Sequence, residues 1–328
     1  GGESAASKTD NPDASGDCKP SDTVGLEDLF AATDRPAEQP SETADRSSRK
    51  PHVTVATIGH RDHGKSTLVS AIQKLSNDAK SGAAAAGSTA AGPDLHFFET
   101  RERRYTLLDC PGSPEEVGRL MVDLAVSDGA ILVVSTADAP MPQTREHIIL
   151  ARQMGVAALV VFMTNAERVD YSELIELVER ETRQLLDAYE YPADEIPVTI
   201  GSGRDAYRRR QGPNGTQAIR RLLGSLDRYV PLPEGRTDGP CTLAVSDVEQ
   251  VGRREAIVHG RIWSGNVSKR DELWSAGLGN SAIELEVSSL EVFGEPTRRA
   301  EAGDTVRCTV QTSRADELRR GQILGPEE

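Results

Sequence analysis

The sequence is poor in the groups that build large cores. Aromatic residues make up 4% and hydrophobic residues 37% of its 328 positions. So low an apolar share predicts that part of the chain is unpacked, and the length suits two domains with a tail. Long apolar runs are missing. The longest nearly unbroken one, Val156 to Met163, has eight residues; a membrane span needs about 18, so no membrane association is expected. The first residues, Gly1-Gly2-Glu3-Ser4, lack the basic stretch and apolar core of a signal peptide. Cysteine is scarce and scattered, at Cys18, Cys110, Cys241 and Cys308. No CxxC or Cys/His spacing suggests a metal site, and free thiols in a reducing cytoplasm are expected. An excess of basic charge is also missing. There are 38 basic and 52 acidic residues, for a net charge of −14. That balance excludes a broad basic field for nucleic acid, though not local, shape-specific contacts. Residues 1–50 carry 11 acids and 6 bases, residues 51–237 carry 25 and 21, and residues 238–328 carry 16 and 11, so none of these three regions is a hidden basic module.

What is present falls into three textures. Residues 1–50 are rich in Ser, Asp, Glu, Ala and Pro and are expected to form a disordered acidic tail, because they cannot bury enough apolar surface to offset the entropy of ordering. An island of Val24, Leu26, Leu29 and Phe30 could take a protein partner. Residues 51–233 alternate apolar strands with amphipathic helices. Strands are expected at His52–Ile58, Tyr105–Leu108, Ala130–Ser135, Val156–Met163 and Ile196–Ile200, and helices after Lys65 and over 114–126, 143–154, 171–189 and 216–229. Residues 81–93 read as an Ala/Gly/Ser loop. The alternation implies a mostly parallel sheet with helices on both faces. Residues 238–328 switch to short strands at 241–249, 256–263, 282–290 and 304–311, an all-β region most simply closed as a small barrel.

One motif carries chemistry. Gly59-His60-Arg61-Asp62-His63-Gly64-Lys65-Ser66, followed by Thr67, fits G-x-x-x-x-G-K-[ST] between a strand and a helix. Backbone N–H groups in such a loop point inward at anionic oxygens, and the helix N-terminus adds partial positive charge. Lys65 would reach the β- and γ-phosphates and the Ser66 hydroxyl would coordinate Mg²⁺. Asp109, at the end of the strand Tyr105–Leu108, opens Asp109-Cys110-Pro111-Gly112 and is placed for a second Mg²⁺ contact. The Gly112 amide could meet a γ-phosphate. His96, His147 and His259 have no metal-like neighbours and read as ordinary.

These strings, with Lys50-Pro51-His52-Val53 and the long run Ala137-Asp138-Ala139-Pro140-Met141-Pro142-Gln143-Thr144-Arg145-Glu146-His147, resemble the elongation factor Tu family of translational GTPases. The likeness continues through Val161-Phe162-Met163, Asp194-Glu195-Ile196-Pro197-Val198, Asp247-Val248 and Gly260-Arg261-Ile262. It covers about residues 50–328 and implies an α/β P-loop NTPase domain followed by the family's β-barrel second domain. No match to the third domain is seen. The resemblance implies GTP or GDP with Mg²⁺, and a ribosome or translation factor as partner. The missing third domain argues against tRNA delivery.

The departures cluster at the chemistry. The family's water-orienting His is replaced by Ser113. Arg61 stands where the family usually has Val, and could act as an arginine finger in cis, obstruct the nucleophile or turn to solvent. The guanine-reading Asn-Lys-x-Asp becomes Thr164-Asn165-Ala166-Glu167, in which Glu167 could still accept from the base. Ser202-Gly203 resembles the family's Ser-Ala loop beside guanine. The first switch loop is short, and only Ser88 and Thr89 could stand for its Mg²⁺-sensing Thr. Three readings follow. The first is a slow or inactive GTPase serving as a translation-related binding or regulatory module. The second is an active GTPase with a changed mechanism, and the third a nucleotide-independent interaction protein.

Overall fold

A computed structural model describes residues 50–80, 94–169, 172–233, 237–277 and 282–327. The expected tail and the loop at 81–93, with Ser88 and Thr89, lie outside the described residues.

The first body is a six-stranded sheet in the order β2-β3-β1-β4-β5-β6. Its strands are β1 (His52–Ile58), β2 (Leu95–Glu99), β3 (Arg104–Asp109), β4 (Gly129–Ser135), β5 (Ala158–Thr164) and β6 (Val198–Ile200). All neighbours are parallel except β2, which runs antiparallel to β3 at the edge. Every residue of β1, β4 and β5 is buried, as expected for strands covered on both faces. Alternate residues serve opposite layers. Val53, Val55, Val133 and Phe162 pack under α1 (Lys65–Lys80), α5 (Gly203–Tyr207) and α6 (Thr216–Tyr229). Ala56, Ile58, Val134 and Met163 pack under α2 (Val117–Ala125), α3 (Pro142–Gln153) and α4 (Ser172–Ala188).

The second body is antiparallel. Strands β7 (Thr242–Gln250), β8 (Glu255–Ser264), β10 (Glu272–Ala276), β11 (Glu284–Val292), β14 (Thr305–Gln311) and β15 (Ile323–Gly325) follow the order β10-β15-β7-β8-β14-β11, and a β10–β11 pairing closes them into a barrel. β12 (Glu295–Pro296) extends β11, and β9 (Asn266–Ser268) pairs with β13 (Arg299–Glu301).

The expected α/β domain followed by a small barrel is what the structure shows. It also corrects boundaries. β5 begins at Ala158 rather than Val156, because the Val156 N–H still donates to Ala151 O and closes α3, with Gly155 at φ +82° making the turn. β6 begins only at Val198, because the Ile196 N–H is held in a turn by Pro192 O. β2, α5, β10 and β15 are additions, each five residues or shorter, too brief for a periodic signal.

Candidate nucleotide site

The carboxyl ends of β1, β3, β5 and β6 meet where the phosphate-loop motif sits, the usual crevice for ligands on an open α/β sheet. Gly59 leaves β1 at φ +128°, and a Cβ there would lie 2.3 Å from Val133 O, so only glycine fits. Its N–H donates to Nδ1 of His147 at 3.0 Å. Gly64, at φ +87°, turns the chain into α1.

Lys65 is 3% exposed and its Nζ donates to Gly59 O at 2.9 Å and His60 O at 3.1 Å. Burial lowers its pKa, and Asp109 opposes the shift. Gly112 lies directly on this arrangement, since a Cβ there would fall 2.4 Å from Lys65 Nζ and 2.5 Å from Arg61 Cα. Asp109 is fixed by Thr57, whose hydroxyl lies 3.2 Å from Asp109 Oδ1 and accepts from the Cys110 N–H. Ser66 and Thr67 are exposed on the first turn of α1. Ser66 and Asp109 offer only hard oxygen donors, which is the chemistry Mg²⁺ takes.

Asp62 is exposed, and the Arg61 side chain, 64% exposed, holds its Nε 3.7 Å from Asp62 Oδ2. The ring of His60 lies 4.9 Å from the buried ring of His63. Burial, with help from nearby His60, pushes His63 down to about 4.

Of the residues expected to read the base, Thr164 meets the phosphate loop. Thr164 donates its hydroxyl to His63 O at 2.7 Å and is 3% exposed, so it pegs β5 to the phosphate loop. Asn165, at φ +60°, donates its amide to Ser135 Oγ. Glu167 is exposed. Ser202 caps α5 by accepting from the Asp205 N–H, and Gly203 packs against the backbone of Leu68 in α1.

Ser113 donates its hydroxyl to Glu116 Oε2 at 2.6 Å. From there charge runs along α2. Arg119 lies 3.8 Å from Glu116 and 3.7 Å from Asp123 and also pairs with Asp94. Arg320 of the barrel lies 3.5 Å from Asp123 and 2.8 Å from Asp247. The segment after Gly112 is thus linked by ion pairs to the second body.

The sequence model of the elongation factor Tu GTP binding domain matches residues 50–232, and that of elongation factor Tu domain 2 matches residues 255–325. The chain belongs to the elongation factor Tu family. Among solved structures it is similar to the translation elongation factor SelB from Methanococcus maripaludis in complex with the GTP analogue GppNHp, at 21% identity and a TM-score of 0.68. The apo form of that protein matches at 21% identity and 0.66. Both likenesses cover 85% of this chain and 55% of the other, so the chain spans about half the length of those elongation factors. At that identity the likeness shows the fold.

Within this elongation factor Tu-type site, His147 is the residue that sequence reasoning undervalued. Thr144, His147, Ile148 and Ala151 form the buried stripe of α3, and that spacing was legible. Burial together with nearby Lys65 and His60 pushes His147 down to about 4. Because it accepts from Gly59, its neutral form is the one that holds the loop. A base whose folded pKa lies below its unfolded value of 6.5 contributes stability above that value and loses it as pH falls. His63 acts in the same direction. Thermal stability is therefore expected to fall between pH 6.5 and about 4. His147→Phe should flatten that dependence and cost about 1–3 kcal/mol at pH 7.5, by leaving the Gly59 N–H buried and unpaired. Unfolding curves at stepped pH check both statements.

Proposed function

We propose that the chain binds guanine nucleotide with Mg²⁺ through Gly59–Thr67, Asp109 and Gly112, and hydrolyses GTP slowly or not at all, acting as a cytoplasmic binding or regulatory module of translation. Lys65 would receive phosphate oxygens in exchange for the two loop carbonyls it now meets. Ser66 and Asp109 would hold Mg²⁺, which neutralises phosphate charge when bound. One observation carries the slow turnover. Ser113 stands where the family resemblance implies a water-orienting imidazole, and its hydroxyl is committed to Glu116 at 2.6 Å. A hydroxyl used in this way supplies neither the reach nor the charge of an imidazole, and such positioning is worth about 10²–10⁴-fold.

Weak guanine preference follows from the base side. The Thr164 hydroxyl serves His63 O and the Asn165 amide serves Ser135, which leaves the exposed Glu167 carboxylate as acceptor for the base. A second reading, an active GTPase of altered mechanism, draws support from the preserved arrangement of Lys65, Asp109 and Gly112. The ribosome is the partner this reading implies.

Titration with labelled GTP, GDP and ATP, with and without Mg²⁺, followed by single-turnover hydrolysis, separates the readings. Mg²⁺-dependent GTP binding with hydrolysis near background supports the proposal. Rapid turnover by the unaltered chain overturns it in favour of the second reading. Ser113→His is expected to raise the single-turnover rate by about 10-fold or more if the rest of the site is competent.

A further inference from the structure

The nucleotide site leaves one charge anomaly unexplained. Residues 203–228 carry seven arginines, no lysine and two aspartates in a chain whose net charge is −14. The two acids are already engaged, for Asp205 pairs with Arg210 at 3.1 Å and Asp227 accepts from Thr100 and Tyr105 beneath α6. Arg204, Arg208, Arg209, Arg210, Arg221 and Arg228 are all exposed. Residues 172–195, by contrast, hold eight acids and two bases, and their helix α4 packs on the opposite layer of the sheet. Charge is therefore segregated across the sheet, with the basic face over α5 and α6.

Local conformation holds this face in a definite form. Arg209 sits at φ +57°, just beyond the end of α5. Such a left-handed position favours Gly or Asn, yet here it carries a guanidinium. Arg221 donates from Nη2 to Pro213 O at 2.7 Å and Ile200 O at 3.2 Å, which fixes its charge over the α5–α6 loop. Tyr207, 45% exposed, is the one large apolar side chain exposed between 203 and 228, and Lys74 of α1 lies 4.1 Å from its ring centroid.

We propose that the α5–α6 face docks the phosphodiester backbone of RNA. Guanidinium forks match phosphate oxygens bidentately, and a run of them tracks a line of phosphates. Lys74 covers one face of the Tyr207 ring, and the other face is the one on which a base would stack. An acidic peptide is disfavoured, because Tyr207 is the one large apolar side chain this face exposes among the described residues.

The test is fluorescence anisotropy of the full chain with a fluorescein-labelled 20-nucleotide RNA, repeated across a salt series and with DNA of the same sequence. RNA binding that weakens with salt is expected, whether or not DNA binds as well. The variant R208E/R209E/R210E should lose about 10-fold or more in affinity and lower the log–log salt slope by about 2–3. R180E, on α4, should leave both unchanged. Should charge reversal impair folding, R208Q/R209Q/R210Q gives the same direction with a smaller loss. Absence of RNA binding at about 50 mM salt, DNA binding without RNA binding, undiminished binding by the arginine variants, or equal displacement by polyglutamate of matched charge would each overturn the proposal.

Discussion

Replacement of Lys65 by alanine is expected to weaken GTP and GDP binding by about 100-fold or more, which corresponds to about 3 kcal/mol. The size follows from burial. Lys65 is 3% exposed, and its ammonium bridges two carbonyls of the loop that would wrap the phosphates. In so dry a setting a charge-assisted bond to phosphate is worth more than one in water. Two controls separate charge from shape. Lys65→Arg keeps the charge, but its larger planar head must fit beside Gly112, where even a Cβ would fall 2.4 Å from Nζ. Gly112→Ala keeps the lysine but sets a methyl 2.4 Å from Nζ and 2.5 Å from Arg61 Cα. Both should weaken binding by less than the alanine variant does. Nucleotide fluorescence titrations at fixed Mg²⁺ measure all three. Unchanged affinity in Lys65→Ala, with an unchanged melting temperature, would mean that this loop does not hold the nucleotide.

The sequence made the phosphate loop legible because its chemistry is local. Gly59, Gly64 and Lys65 act through backbone freedom and one cation, and adjacency in the chain is enough to reveal them. The alternation of strand and helix was legible for a similar reason, since strands buried on both faces read as unbroken apolar runs. Contacts that close across the fold were hidden. His147 lies 88 positions from the Gly59 amide it serves, and Thr164 lies 101 positions from His63 O. Thr164 also shows how a motif position can be misread. Taken along the chain it is a poor substitute for a base-reading Asn, whereas in space it is a peg that fixes the phosphate loop. Arg261 gave no signal beyond its place in Gly260-Arg261-Ile262, because its partners belong to the other body.

Arg261→Ala is expected to cost about 3–5 kcal/mol and to loosen the two bodies from one another. The guanidinium on β8 donates to Val126 O at 2.7 Å and to Asp128 Oδ1 at 2.6 Å. The two side chains are only 6% and 11% exposed. Asp128 in turn accepts from the Thr54 N–H at 2.8 Å, and the Thr54 hydroxyl meets that of Thr305 at 2.8 Å. Alanine would strand a buried carboxylate and a buried carbonyl together, and breaking a buried pair costs far more than its absence from the outset. Arg261→Met with Asp128→Asn removes both charges and retains an acceptor for Thr54, so it should recover about half of the loss. The neighbouring Asp123 gives the interface a pH dependence of its own. Burial is the largest influence on Asp123 and raises it to about 6, against the pull of Arg320 and Arg119 and with help from Asp247 and Asp94. An acid whose folded pKa exceeds its unfolded value of 3.8 costs stability once ionised, so folding stability should fall as pH rises from about 4 to about 6. That trend opposes the one set by His63 and His147, and Asp123→Asn should remove it. Denaturant unfolding followed by the fluorescence of Trp263 and Trp274 in the barrel, and by helical circular dichroism in the first body, checks these statements. Coincident transitions in the unaltered chain should separate in Arg261→Ala. Transitions that remain coincident with a loss below about 1 kcal/mol would show that this pair does not hold the bodies together.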